Sequence, residues 1–131
     1  MSETAGGNGA ALIGAWHLVS CTMALADGSI DYPFGRQPSG AILYTPDGWM
    51  SAHLIDRDAA QGAEPRPHYS GYFGPFSLSE TENLVVHHVR GASDDRIVGD
   101  QPRRYRIDGD TLTLTAGVAG AAIEVIWKRP A

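Results

Sequence analysis

The sequence predicts an all-β fold, an antiparallel up-and-down barrel of about eight strands with a central pocket. Three observations lead there. The 131 residues include 16 Gly and 8 Pro, a density of turn-formers that argues against a helical bundle. The apolar segments are short and alternate with polar positions, the period-2 pattern of strands. The turns join neighbouring segments directly, whereas a two-sheet sandwich, the structural alternative, usually needs longer crossing connections. Eight strands in a meander can hide their edges by closing on themselves. The interior is then filled by side chains or holds one small ligand.

The elements follow in order. Residues 1–11, MSETAGGNGAA, are small, polar and Gly-rich, and read as a frayed tail before a barrel domain over 12–131. The first strand runs from Gly14 to Leu25, with His17, Val19, Cys21 and Met23 on one face and Trp16, Leu18, Ser20 and Thr22 on the other. A turn at Ala26–Ser29 and an irregular stretch around Tyr32-Pro33-Phe34-Gly35 and Pro38 follow, where proline denies ladder hydrogen bonds. Gly40 to Thr45 and Trp49 to Ile55 form a hairpin about Pro46-Asp47-Gly48. Residues 56–67, DRDAAQGAEPRP, break the pattern as a polar insert that, with the stretch over Tyr32–Ser39, is placed to cover one mouth. Tyr69 to Ser79 is a strand bent at Gly71, Gly74 and Pro75, and Leu84 to Gly91 is the next. Residues 92–102 read as loop. Arg103–Ile107 and Thr111–Thr115 flank Asp108-Gly109-Asp110 in the clearest hairpin, and Ala121 to Arg129 closes the chain.

Composition excludes several function classes. Hydrophobic residues are 43% and charged residues 19%, which is globular and not disordered. The net charge is −5, and the densest basic cluster is only Arg103-Arg104-x-Arg106, so nucleic acid is not an expected partner. One cysteine, Cys21, allows no intrachain disulfide and no cysteine-built zinc site. No run approaches the ~18–20 apolar residues of a membrane helix. Leu18-Val19-Ser20-Cys21 imitates a lipoprotein signal, but no basic start or clean apolar stretch precedes it. The expectation is a cytoplasmic monomer or homodimer.

Gly14-x-Trp16 opens the first strand and Trp127-Lys128-Arg129 ends the last. Between them come Asp27-Gly28 to Tyr32-Pro33-Phe34-Gly35, then Gly40 to Ala52 (GAILYTPDGWMSA), Tyr69-Ser70-Gly71, Val86-His87-His88-Val89, and Arg103-Arg104-Tyr105 through Asp110-x-Leu112-x-Leu114. In this ordered set the chain resembles the bacterial lipocalin-like domain family over roughly residues 12–129. The resemblance implies a barrel whose pocket takes a small, largely apolar molecule, and a cation–π contact between Arg129 and Trp16 where the first and last strands meet. It does not imply one chemistry, because related small barrels are carriers or cofactor-free cyclases and isomerases of natural-product pathways.

Adjacent His87 and His88 point to opposite faces of one strand, both apolar, so parity leaves the choice open; the resemblance favours His87 inward. An inward, partly desolvated His87 is the best general acid/base, against the alternative of a hydrogen-bonded core histidine. Tyr72 and Arg103 are its expected polar orienters, Arg103 because it alternates with the core-type Tyr105 and Ile107. Tyr44, Tyr69 and Tyr105 are further pocket candidates. Trp49, Ser51 and His53 share a face and would line the lumen, unless Met50, Ala52 and Leu54 do so, which would leave His53 at a rim. The five histidines show no metal-ligand spacing, so neither metal nor cofactor is expected. Cys21 reads as a buried, inert thiol. The resulting expectation is a barrel that handles a small hydrophobic metabolite, leaning to a cofactor-independent cyclase or isomerase, with a non-catalytic carrier as the alternative.

Overall fold

The computed structural model describes residues 8–57, 69–118 and 120–130. A short helix, α1 (Asn8–Leu12), leads into ten strands: β1 (Gly14–Ala24), β2 (Ile30–Asp31), β3 (Ser39–Tyr44), β4 (Trp49–Ile55), β5 (Tyr69–Ser79), β6 (Leu84–Val89), β7 (Gly91–Ala92), β8 (Gly99–Asp108), β9 (Thr111–Val118) and β10 (Ala121–Lys128). Eight of them form a ring in the order β1-β3-β4-β5-β6-β8-β9-β10. β10 returns antiparallel onto β1, with Lys128 opposite His17 and Ile123 opposite Met23. The expected eight-stranded antiparallel barrel is therefore observed, with β2 and β7 as short additions to β1 and β5. Among the described residues no helix is long and apolar enough to cross a membrane.

Three local features place side chains inside or outside. In β1 the inward positions are Trp16 and Leu18 and then Cys21, while Val19 is exposed. Strand β10 meets this with a register shift, Trp127 facing Leu18 and Ile126 facing Ser20, so Val19 is the extra residue of a bulge. A strict alternation would have put Cys21 on the opposite wall from Trp16. In β5, pairing passes from β6 at Phe76–Ser79 to β7 at Tyr72–Phe73, and a Cβ on Gly74 would fall 2.0 Å from the His88 carbonyl oxygen. Only glycine allows that approach. The β8–β9 hairpin turns over two residues, with Gly109 at φ +61 in the first position, which suits the tight turn.

Two expectations change. Strand β8 begins at Gly99 and includes Pro102, which is paired with Val86. The ladder to β9 starts only at Arg104, so residues 99–103 are laddered on one side and tolerate proline as an edge strand does. Of the tail expected over 1–11, residues 8–11 belong to α1, and residues 1–7 lie outside the described set. Most of the polar insert at 56–67 also lies outside it.

Helix α1 closes one end of the barrel. Leu12 is fully buried and its carbonyl accepts the Trp16 indole N–H at 2.9 Å. The Arg129 guanidinium lies 3.9 Å from the Trp16 ring centroid, the contact expected where first and last strands meet, worth ~0.5–2 kcal/mol. Arg129 also donates to the carbonyls of Ile13 and Ala11. Ile42, Met50, Val85 and Leu112 complete a filled core at this end. The other end is looser.

Candidate functional site

Alternation carries three polar rings into the barrel: Tyr44 at the end of β3, Tyr72 on β5 and His87 on β6. The Tyr44 hydroxyl lies 2.7 Å from His87 Nε2, and the Tyr72 hydroxyl 3.4 Å from Nδ1. Phe76 packs edge-on against Tyr44, with centroids 4.9 Å apart. Tyr44 is buried and its hydroxyl has His87 as its only partner among the described residues. Leaving a buried hydroxyl hydrogen without an acceptor costs free energy, and His87 Nε2 is the acceptor within reach, so Tyr44 donates to Nε2. Neutral imidazole has one N–H, which then sits on Nδ1 and donates to the Tyr72 oxygen. This leaves the Tyr72 O–H free to donate elsewhere.

Burial keeps this relay uncharged. The His87 pKa is pushed down to about 3, first by desolvation and then by the charge of Arg103 and by His88. Burial raises Tyr44 well above the ordinary phenol range, reinforced by Tyr72 and opposed by Arg103. It raises Tyr72 as well, again against the pull of Arg103. At neutral pH the relay is phenol, imidazole, phenol.

Tyr72 is where the relay meets open space. A pocket of about 140 Å³ lies in the looser end of the barrel, lined by Tyr72, Arg103, Trp127, Cys21 and apolar side chains including Leu54 and Leu114. A cavity of roughly 150 Å³ takes a benzene ring. Phe34 and Ser70 line both this pocket and a wider outer hollow of about 570 Å³ bounded by Tyr69 and Asp94. Ile97, from the turn after β7, also walls the inner pocket. Burial raises the Cys21 thiol to about 11, which leaves almost no thiolate at neutral pH.

The expected site residues divide into two groups. His87, Tyr72 and Arg103 come together inside with Tyr44, though His87 stands behind Tyr72 and does not line the pocket. Tyr105 is buried, but its hydroxyl has no partner among the described residues, and it lines no part of this pocket. Trp49, Ser51 and His53 face outward, contrary to the lumen placement, because Met50, Ala52 and Leu54 bury the inner face of β4. Tyr69 is outward too, 45% exposed. These outer residues make their own chain, Ser51 Oγ to His53 Nε2 at 2.8 Å and His53 Nδ1 to the Tyr69 hydroxyl at 2.8 Å. His88 also points outward, to Ser77 and Asp100. Phe73 is half-exposed and takes no part in filling the lumen. Among the described residues no three His, Cys, Asp or Glu side chains lie together as a metal ion would need.

Sequence reasoning missed Phe34, Ile97 and Ser70 as pocket residues, and Trp127 except as core. Trp127 had a signal in its alternation with Ile123 and Val125; Phe34 and Ile97 sit in irregular segments where no periodicity exists to orient a side chain.

The sequence model of the lipocalin-like domain family matches residues 13–129. No curated protein and no solved structure matches the chain.

Proposed function

The chain belongs to the lipocalin-like domain family, and from that premise we propose that its lumen takes a small hydrophobic metabolite and activates an oxygen of it through the Tyr72 hydroxyl. The observation that carries this reading is the directed relay from Tyr44 through His87 to Tyr72, which ends on the pocket with a donor unspent. A donor held at a fixed place in a dry site stabilises negative charge that develops on a carbonyl oxygen. Enclosure folds and desolvates the bound molecule.

The chemistry this supports is electrophilic. A histidine with a pKa near 3 is a weak base, and it stands behind Tyr72; the Cys21 thiol and the Tyr72 phenol hold their protons at neutral pH. His87 is thus a positioning residue, fixed as the Nδ1–H tautomer by Tyr44, and Tyr72 is the catalytic donor. The reactions that fit are cyclisations and isomerisations driven by hydrogen-bond activation and confinement, without a cofactor.

A second reading, a non-catalytic carrier, draws on the largely apolar lining of the same pocket. Acetophenone, a ring-sized ketone, serves as the probe for both. It is expected to bind with its carbonyl infrared band shifted to lower frequency, and Tyr72→Phe is expected to abolish the shift while ring binding persists. Absence of binding overturns the lumen reading. Conversion of a candidate intermediate by wild type, lost in Tyr72→Phe with binding retained, supports the enzyme; conversion unchanged in the variant removes Tyr72 from the mechanism.

A further inference from the structure

Among the described residues Arg103 is the only charged side chain lining the inner pocket, and no described carboxylate shares that lining. Among the described residues its guanidinium makes one hydrogen bond, Nη1 to the neighbouring Pro102 carbonyl at 2.9 Å, and no ion pair. A guanidinium has five N–H donors in a planar fork, so most of them are unspent. The charge is not neutralised locally: it lowers the pKa of His87 and pulls against burial at both relay tyrosines. A second unspent donor lies in the same wall. Trp127 is almost fully buried, lines the pocket, and has an indole N–H with no acceptor among the described residues. With the free Tyr72 O–H, the pocket holds three donor groups, one of them cationic, and among the described residues no anion to answer them.

Donor groups without acceptors, around a ring-sized apolar space, specify a ligand. Resting on the lumen as a ligand site, we infer that this ligand is an organic acid: a planar apolar body whose carboxylate or enolate oxygen is held by Arg103, with the Tyr72 hydroxyl and the Trp127 indole as further donors. A carboxylate matches the guanidinium fork bidentately. A neutral ligand would cover the cation without replacing the water it loses, a costly arrangement. The outer hollow carries two carboxylates, Asp94, which is engaged by Arg96 at 2.7 Å, and Asp95; neither lines the inner pocket beside Arg103. The apolar body fills the inner pocket, and any longer substituent leaves past Phe34.

Benzoate and its neutral isostere benzamide, titrated into the full chain, test this. The readouts are calorimetry and the indole N–H resonances, with Trp127 identified by its loss in Trp127→Phe. Wild type is expected to prefer benzoate by at least ~10-fold, the scale of one desolvated charge pair, with the Trp127 resonance shifting. Arg103→Met is expected to abolish the preference, and Arg103→Lys to keep part of it, since it retains the charge without the fork; together they separate lost recognition from a failure to fold. Trp127→Phe is expected to weaken benzoate a few-fold. Equal binding of the two probes by wild type, or a preference that survives in Arg103→Met, overturns the acid assignment alone. Binding of neither overturns the lumen reading itself.

Discussion

Two histidine relays lie on opposite sides of the same barrel wall. Inside are Tyr44, His87 and Tyr72; outside are Ser51, His53 and Tyr69. Strand pairing sets them almost back to back, with Ala52 opposite Tyr72 and His53 opposite Gly71. By hydrogen-bond length the outer relay is the better made, with 2.8 Å at both contacts against 2.7 and 3.4 Å inside. Burial reverses the ranking. Tyr44 is 1% exposed and His87 fully covered, so no water can substitute for a lost partner, and the direction of each donor is dictated. Outside, Tyr69 is 45% exposed, and water can replace any member. The inner relay therefore has one protonation pattern that delivers a donor to the pocket, which the hydroxyl–histidine–phenol chain on the surface does not enforce.

The comparison can be broken by truncating each centre. His87→Ala leaves a cavity and two unpartnered phenols, and is expected to cost about 2–5 kcal/mol in urea unfolding. His53→Ala is expected to cost less than ~1 kcal/mol, as for exposed polar sites. Equal losses would mean that burial does not separate the two relays.

Acidification sharpens it. His87 has a pKa of about 3 in the folded protein against an ordinary value of 6.5, so the unfolded chain binds the proton more readily. The contribution of neutral His87 is complete above pH 6.5 and is lost as pH falls from there towards 3, a few kcal/mol in all. Unfolding free energies across that window should fall more steeply for wild type than for His87→Gln. Parallel curves would show that His87 is not held neutral. Smaller still, Tyr44→Phe orphans Nε2 of His87 and is expected to cost about 1–3 kcal/mol. Tyr69→Phe is expected to stay within ~0.5 kcal/mol, the smallest effect of the series; a larger one would make the outer chain a structural element in its own right.

The strands and their closure were legible because period-2 alternation is strong where one face is buried, as in β4 and β9. Arg103 was legible by the same route, through its phase with Tyr105 and Ile107. The phase failed where the backbone departs from regular pairing. The bulge at Val19 resets β1, and nothing in the run His17 to Met23 announces it, since both faces there carry apolar residues. On β4 the choice between Trp49-x-Ser51-x-His53 and Met50-x-Ala52-x-Leu54 rests on comparative burial, and a tryptophan in the first set obscures it. The tautomer of His87 depends on Tyr44, 43 residues away, and on that hydroxyl having no second partner among the described residues; no local pattern encodes such a fact. Phe34 and Ile97 reach the pocket from segments without a period.

The seam between β1 and β10 bears on how the protein is made. Residues 17–24 are complemented by 122–128, and Arg129 ties itself to carbonyls of Ala11 and Ile13 across 118 and 116 positions of chain. During synthesis the first strand must therefore wait for the last, with one edge unpaired while the intervening hairpins assemble. Contacts this distant in sequence make folding slow, and an open strand edge invites pairing with another chain. A nascent chain arrested before residue 121 would carry all of the inner relay and still lack the strand that seals it.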